Sequence, residues 1–211
     1  MSAESGVPTY RGKGGTWTEY NYEDYACQEA FERDPERVWE FHNMRRAAVS
    51  ACLPHNGHKL LVDWESQFES LTIVTQNIDG MHQRAGSSVV HELHGSLWKV
   101  VCQATGRLQE NHDVPFEEPR SEYGYWRPAI VWFGDTLDPV VIYSALEAIS
   151  RCDLLVSIGT SGVVFPAAQF PLQAKEAGAT LVEINPDETP LSGEYDLCLR
   201  GPASQVLAEL F

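Results

Sequence analysis

Leu154-Leu155-Val156-Ser157-Ile158-Gly159-Thr160-Ser161-Gly162, followed by Thr180-Leu181-Val182-Glu183-Ile184-Asn185-Pro186, settles the fold class of this 211-residue chain. The first run is a short apolar strand that stops at a glycine-rich turn. Pro166 can open a helix that runs to about Ala177, where Gly178 stops it. The second run is the next strand, and Leu197-Cys198-Leu199 gives a last short one before Gly201-Pro202-Ala203-Ser204 leads into a terminal helix through Leu210. Strand, helix, strand in that order implies an α/β protein with parallel strands, covering helices and a right-handed crossover.

Upstream, the apolar run Leu71-Thr72-Ile73-Val74 passes directly into Thr75-Gln76-Asn77-Ile78-Asp79-Gly80-Met81-His82. Two amides and a carboxylate then stand at the carboxyl end of a strand, where open α/β sheets hold their ligands. An Asx turn with Gly80 accounts for the same residues with no ligand. His91-Glu92-Leu93-His94-Gly95 follows. An imidazole with an ordinary pKa near 6.5 is a usable general base at neutral pH, and a neighbouring glycine lets other groups come close. His94 is the candidate base, with His82 and His91 read as structural. Gly159-Thr160-Ser161, between strand and helix, can cradle a phosphate with backbone N–H groups and hydroxyls.

Asp34-Pro35 starts a helix to about Ala51, with the carboxylate as N-cap. Its apolar face collects Val38, Phe41, Val49 and Cys52, and Arg45 falls in the same stripe, three residues after His42. A guanidinium on an apolar stripe must find an anion or reach solvent. Gln103–Tyr125 has poor periodicity and reads as a loop-rich excursion. Val131-Trp132-Phe133-Gly134-Asp135 reads as a further strand.

A net charge of −15 repels phosphate backbones and argues against nucleic acid, while it is compatible with basic peptides. No stretch approaches the roughly 20 apolar residues that span a bilayer, and no signal-peptide pattern opens the chain, so no membrane association and a cytoplasmic location are expected. Five cysteines without a Cys-x-x-Cys pair suggest reduced thiols, with Cys152 and Cys198 in the core.

Taken together, these segments resemble the sirtuins, the NAD-dependent protein lysine deacylases, over nearly the whole chain. The resemblance implies a Rossmann-like parallel sheet with a smaller inserted helical and loop module. The NAD-binding part would take residues 1–33, 60–95 and 130–211, and the module 34–59 and 96–129. It implies His94 as catalytic base. For the cofactor it implies Ala3, Glu4, Thr9, Tyr10 and Arg11 in an opening loop, then Gln76, Asn77, Ile78 and Asp79 around nicotinamide and its ribose. Gly159, Thr160 and Ser161 would follow, with Asn185, Pro186 and Asp187 near the adenosine ribose and Ala203 near adenine. Val131, Trp132, Phe133 and Gly134 would take an acylated peptide as an added strand.

The branch it most resembles removes succinyl and malonyl groups through a Tyr-x-x-Arg clamp. Here Arg45 keeps the arginine, but His42 replaces the tyrosine; a histidine can donate to a carboxylate, more strongly when protonated. Most sirtuins hold a structural zinc with four cysteines. This chain keeps only Cys102, so no zinc is expected, and Trp98, Phe116, Tyr123, Tyr125 and Trp126 would hold the module by packing. The resemblance also places a first strand and a Gly-Ala-Gly turn before Ser2, so Met1 is expected to be an internal methionine. Two other readings remain: NAD glycohydrolase or ADP-ribosyl transfer, and a non-catalytic sensor of NAD or ADP-ribose.

Overall fold

The computed structural model describes residues 1–9, 15 and 20–210. A 3-10 turn over Ser2–Ser5 opens the chain. Two short helices follow, α1 (Tyr22–Tyr25) and α2 (Gln28–Arg33), then the long α3 (Pro35–Ser50) and α4 (Asn56–Glu65). The start of α3 is the one the sequence dictates: Asp34 accepts from the Arg37 N–H at 3.1 Å and Pro35 fills the first turn. Strand β1 (Ile73–Thr75) pairs parallel with β2 (Val90–Glu92), and α5 (Met81–Ala85) lies between them in sequence.

The next stretch departs from expectation. Instead of a loop module, β3 (Gly95–Cys102), β4 (Leu108–Glu110), β5 (Arg120–Ser121) and β6 (Gly124–Ile130) form an antiparallel sheet in the order β4-β3-β6-β5. The strand expected over Val131–Asp135 therefore ends at Ile130. Beyond it the chain turns, because Asp135 accepts from the Trp132 N–H at 3.1 Å while its own N–H donates to the Trp132 carbonyl at 3.0 Å.

The carboxyl half follows the sequence closely. Helix α6 (Pro139–Arg151) leads to β7 (Leu154–Ile158); α7 (Phe170–Glu176) leads to β8 (Thr180–Ile184); β9 (Leu197–Leu199) and α8 (Ala203–Glu209) close the chain. The three strands are parallel in the order β7-β8-β9. The helix expected to run from Pro166 to Ala177 is split into a 3-10 turn, Ala167–Gln169, and α7. Pro171 stands in the first turn of α7, and without an N–H it cannot continue an α ladder back to Ala167.

Three apolar clusters hold these parts together. One, around Phe31, Val38, Trp39, Leu97, Val100 and Trp132, joins α2 and α3 to the antiparallel sheet. The others lie beside the parallel strands, around Leu93, Ala145, Phe170 and Leu181, and around Leu61, Ile73, Ile184 and Leu207, where Met1 also packs. Cys27 and Cys102 are the buried cysteines, whereas the two expected in the core are only half-buried: Cys152 caps α6 beside the second cluster, and Cys198 lies on the edge strand β9. Among the described residues, no helix is long and apolar enough to cross a membrane.

Candidate functional site

Polar residues gather at the carboxyl ends of parallel strands, and a continuous series of hydrogen bonds joins them. His94 Nδ1 lies 2.9 Å from the Gln76 carbonyl, just past β1. The Gln76 amide donates to the Thr160 hydroxyl at 3.2 Å, past the end of β7. Asn185, past the end of β8, donates from Nδ2 to the Thr160 carbonyl at 2.7 Å. Residues drawn from four separate stretches of sequence thus lie together in one hydrogen-bonded group, with His94, Gln76, Asn77, Thr160 and Asn185 half-buried and Gly159, Ser161, Pro186 and Asp187 exposed.

One backbone contact and partial burial set the state of the His94 imidazole. Burial lowers the His94 pKa below its usual value, opposed by the Gln76 carbonyl. With Nδ1–H donated to that carbonyl, Nε2 carries the lone pair. Gly95 fixes the next peptide: its φ is +73°, and a Cβ there would sit 2.1 Å from the Ala129 carbonyl oxygen. No side chain fits where β3 and β6 meet beside His94. The His94 carbonyl also accepts the Val131 N–H at 3.0 Å, which ties the base to the segment Val131–Gly134. Within that segment Trp132 is buried, while Phe133 is 43% exposed and Gly134 has open space around it.

Asn77 donates from Nδ2 to the Ser2 hydroxyl at 2.9 Å. Ser2 is buried and was missed from sequence; nothing distinguishes a serine beside an initial methionine. Ile78 and Asp79 are buried too. Asp79 Oδ1 accepts the Met81 N–H at 2.9 Å, so the Asx turn exists alongside any ligand role. Trp98 backs the same stretch, its indole N–H donating to the Asp79 carbonyl at 2.8 Å. Behind it, a cavity of about 340 Å³ lies between Gly80, Glu92, Trp98 and Lys99; none of the candidate cofactor residues lines it.

In the opening loop Ala3, Glu4 and Thr9 are exposed. The Glu4 carboxylate accepts from the Ala203 N–H at 2.8 Å and the Ser204 N–H at 3.1 Å, so two candidate cofactor positions are bonded to each other. Tyr10 and Arg11 lie outside the described residues.

His42 and Arg45 are both buried on α3, one turn apart. Burial, reinforced by Arg45, pushes the His42 pKa down to about 3, so a protonated His42 is ruled out at neutral pH. The Tyr25 backbone is near enough to oppose this slightly but outside hydrogen-bond geometry, and neither ring nitrogen has a partner among the described residues. The ring stacks on Trp132 at 6.0 Å; the Arg127 guanidinium lies 3.8 Å from the Trp132 ring centroid, and the indole N–H is likewise unpaired. Arg46 was passed over in the sequence although it follows Trp39 by seven residues. Its guanidinium donates to the carbonyls of Leu97, Asn111 and Asp113.

Beside Asp79, three imidazoles form a row, with His58 and His82 buried and His55 half-buried: His55 to His58 is 4.3 Å and His58 to His82 4.9 Å between centroids. Both nitrogens of His58 and Nδ1 of His82 lack partners among the described residues. Burial holds His58 near a pKa of about 3 and His82 near about 4. Between those values and the ordinary 6.5 the unfolded chain binds more protons than the folded one, so stability is lost as pH falls through that window. His58→Leu is therefore expected to reduce the loss of unfolding free energy between pH 7 and pH 4 by about 2 kcal/mol relative to the parent, read from urea titrations at each pH. Parallel curves for the two proteins would contradict this.

Among the described residues, no three His, Cys, Asp or Glu side chains converge as metal ligands. The Cys102 thiol is instead pulled below its usual pKa, first by the Thr105 hydroxyl and also by that of Ser121.

Comparison with known proteins gives a consistent result. Residues 1–166 match the Sir2 family pattern. An Aquifex aeolicus protein named NAD-dependent protein deacylase is 42% identical over 215 residues, covering 100% of this chain and 90% of that protein. The Danio rerio NAD-dependent protein deacylase sirtuin-5, mitochondrial, is 37% identical, covering 98% of this chain and 78% of that one. A solved Sir2 homolog–NAD complex superposes with a TM-score of 0.92 at 41% identity, covering 99% of this chain and 83% of its own. A Sir2 protein with deacetylated p53 peptide and 3'-O-acetyl ADP ribose superposes with a TM-score of 0.89 at 30% identity, covering 99% and 87%.

Proposed function

The chain belongs to the Sir2 family, and we propose that it acts as an NAD-dependent protein lysine deacylase, passing the acyl group from lysine to ADP-ribose with release of nicotinamide. The observation that carries this is the hydrogen-bonded series His94–Gln76–Thr160–Asn185, which puts one imidazole in the same group as the polar ends of β1, β7 and β8. The residues suit a dinucleotide: amides for a carboxamide and ribose hydroxyls, and a small open Gly159-Thr160-Ser161 turn for phosphates. We assign residues 1–33, 60–95 and 130–211 to its binding and 34–59 and 96–129 to the smaller module.

NAD, as co-substrate, supplies the scissile nicotinamide–ribose bond and the hydroxyl that receives the acyl group. In this reading Gln76, Asn77, Ile78 and Asp79 orient the nicotinamide end, and Ala3, Glu4, Thr9, Tyr10 and Arg11 contribute to cofactor binding. Asn185, Pro186, Asp187 and Ala203 take the adenosine. His94 Nε2 removes the ribose hydroxyl proton, its tautomer fixed by the Gln76 carbonyl. Val131, Trp132, Phe133 and Gly134 pair with the peptide main chain, and exclusion of water keeps NAD from simple hydrolysis. The substrates are acylated proteins or peptides, and a net charge of −15 favours basic ones.

The acyl pocket extends toward His42 and Arg45. His42 contributes there as a neutral ring, so the charge that would hold an acidic acyl chain is that of Arg45. The test is NAD-dependent turnover of acetyl-lysine, succinyl-lysine and long-chain acyl-lysine peptides by the parent and Arg45→Met. Loss of desuccinylation by tenfold or more with deacetylation within about twofold is expected, the value of one charge-assisted pair. Equal losses on both would remove Arg45 from acyl recognition.

A further inference from the structure

Glu183 is a carboxylate one residue before the carboxyl end of β8, with its side chain 2% exposed. Burying a carboxylate is costly unless its oxygens are fully bonded. Here Oε1 accepts from the Thr189 hydroxyl at 2.7 Å, and Oε2 from the Ser192 hydroxyl and Arg200 Nη1, both at 2.6 Å. Burial works to raise the Glu183 pKa, yet these bonds hold it below the usual carboxylate range, so the group is charged at neutral pH.

Arg200 follows β9 and is one-third exposed, so it does not stand there to fill the core. Its guanidinium reaches back across the sheet end. Nη1 also points at the carbonyls of Asn185 (3.5 Å) and Asp187 (3.3 Å), and Nη2 donates to the Ser192 hydroxyl at 3.0 Å. Those two carbonyls flank Pro186, which has no N–H with which to anchor its own loop. Asn185 is also tied by its N–H to the Leu199 carbonyl at 3.1 Å, by its side-chain amide to the Thr160 carbonyl at 2.7 Å, and by its side-chain oxygen, which accepts the Asp187 N–H at 3.5 Å. A shift of the Asn185 peptide would therefore reach Thr160.

We propose that Arg200, fixed by the buried Glu183 carboxylate, is a positioning residue for the adenosine end of the dinucleotide site: it holds the Asn185–Asp187 loop in its binding conformation. The inference rests on the proposed NAD-dependent function, and it separates the two ends of that site. Arg200 orders the loop under the adenosine, whereas His94 and Asn77 act at the nicotinamide end. Its loss disturbs ground-state binding of the co-substrate and leaves the chemical step alone, so KM moves and kcat does not.

The test uses the full chain carrying Arg200→Met, Arg200→Lys and, as a structural control, Thr189→Val, which takes one bond from Glu183 but leaves the guanidinium in place. Arg200→Met is expected to raise KM for NAD about tenfold and to weaken ADP-ribose binding by calorimetry by a similar factor. The KM for acyl peptide and kcat should stay within about twofold. Arg200→Lys, able to keep the pair with Glu183 but lacking the second nitrogen that fixes the guanidinium on Ser192 while Nη1 faces the two carbonyls, should fall between parent and Arg200→Met. Thr189→Val should lower the melting temperature without moving KM for NAD. An unchanged KM for NAD in Arg200→Met, or a fall in kcat with KM unchanged, overturns the positioning role. Should Arg200→Met fail to fold, Arg200→Lys and Thr189→Val decide: equal KM values in the two overturn it. A parent that binds ADP-ribose without deacylating would sink the proposed function, and calorimetry on the variants would still decide the role of Arg200. A parent that binds no ADP-ribose overturns both.

Discussion

Replacing His94 with alanine is expected to slow NAD-dependent deacylation by roughly 10²–10⁴-fold, the range a positioned general base supplies. The side chain is bonded to the Gln76 carbonyl and is half-buried, so its removal leaves that acceptor near solvent and costs little stability. The melting temperature and ADP-ribose affinity should stay close to those of the parent while kcat collapses. Burial also sets a pH signature: because it lowers the His94 pKa, the acid limb of kcat is expected at lower pH than an ordinary imidazole would give. Activity of the variant within tenfold of the parent would remove His94 from the chemistry.

Replacing Arg46 with methionine should have the largest effect on stability, a loss of about 3–5 kcal/mol, because several carbonyls lose their donor at once and each buried group left unpaired costs about 1–3 kcal/mol. Arg46 is 1% exposed, with its guanidinium 5.2 Å from the Trp98 ring centroid. Nε donates to the Asp113 carbonyl at 3.1 Å, and Nη2 to the carbonyls of Asn111 and Asp113, each at 2.8 Å. These bonds, with that to Leu97, fasten α3 to the antiparallel sheet. Methionine fills the volume but donates to none of them, leaving the buried Leu97 carbonyl unpaired and the part-buried ones of Asn111 and Asp113 without their charged donor. For a domain of this size the melting temperature should drop by roughly 10 °C. Because Trp98 carries the Asp79 carbonyl, NAD affinity should weaken in parallel. A change in melting temperature below about 2 °C would show that solvent satisfies the abandoned carbonyls.

The carboxyl half was legible because its signals are local. Leu154–Ile158 and Thr180–Ile184 are short apolar runs ended by Gly159 and Pro186, and a parallel βαβ unit leaves few alternatives. The antiparallel sheet was not legible. All three residues of β4 are exposed, and its place is set by cross-strand pairing with β3, which leaves no apolar period to read. Pro128 inside β6 reads as a breaker, although it sits opposite Val100 in a pairing where its missing N–H is tolerated. The strand was therefore sought one segment too late, at Val131–Asp135.

The candidate site divides in the same way. Gln76, Asn77, Asp79, His94 and Thr160 stand out because polar residues directly after apolar strands need a reason to be there. Arg45 drew notice for breaking an apolar stripe, whereas Arg46, with three backbone carbonyls at hand, looked like an ordinary surface residue. Its partners come from residues 97, 111 and 113, far away in sequence. The neutral state of His42 was equally invisible, since only its complete enclosure between Phe41, Trp132 and the neighbouring arginines lowers its pKa.

One measurement bears most directly on the account: product stoichiometry when the full chain is mixed with NAD and an acetyl-lysine peptide, followed by mass spectrometry. One nicotinamide and one acetyl-ADP-ribose should form for each lysine uncovered, with negligible nicotinamide when the peptide carries no acyl group. Nicotinamide release at the same rate without acyl-lysine, or free acetate formed without NAD, would contradict it.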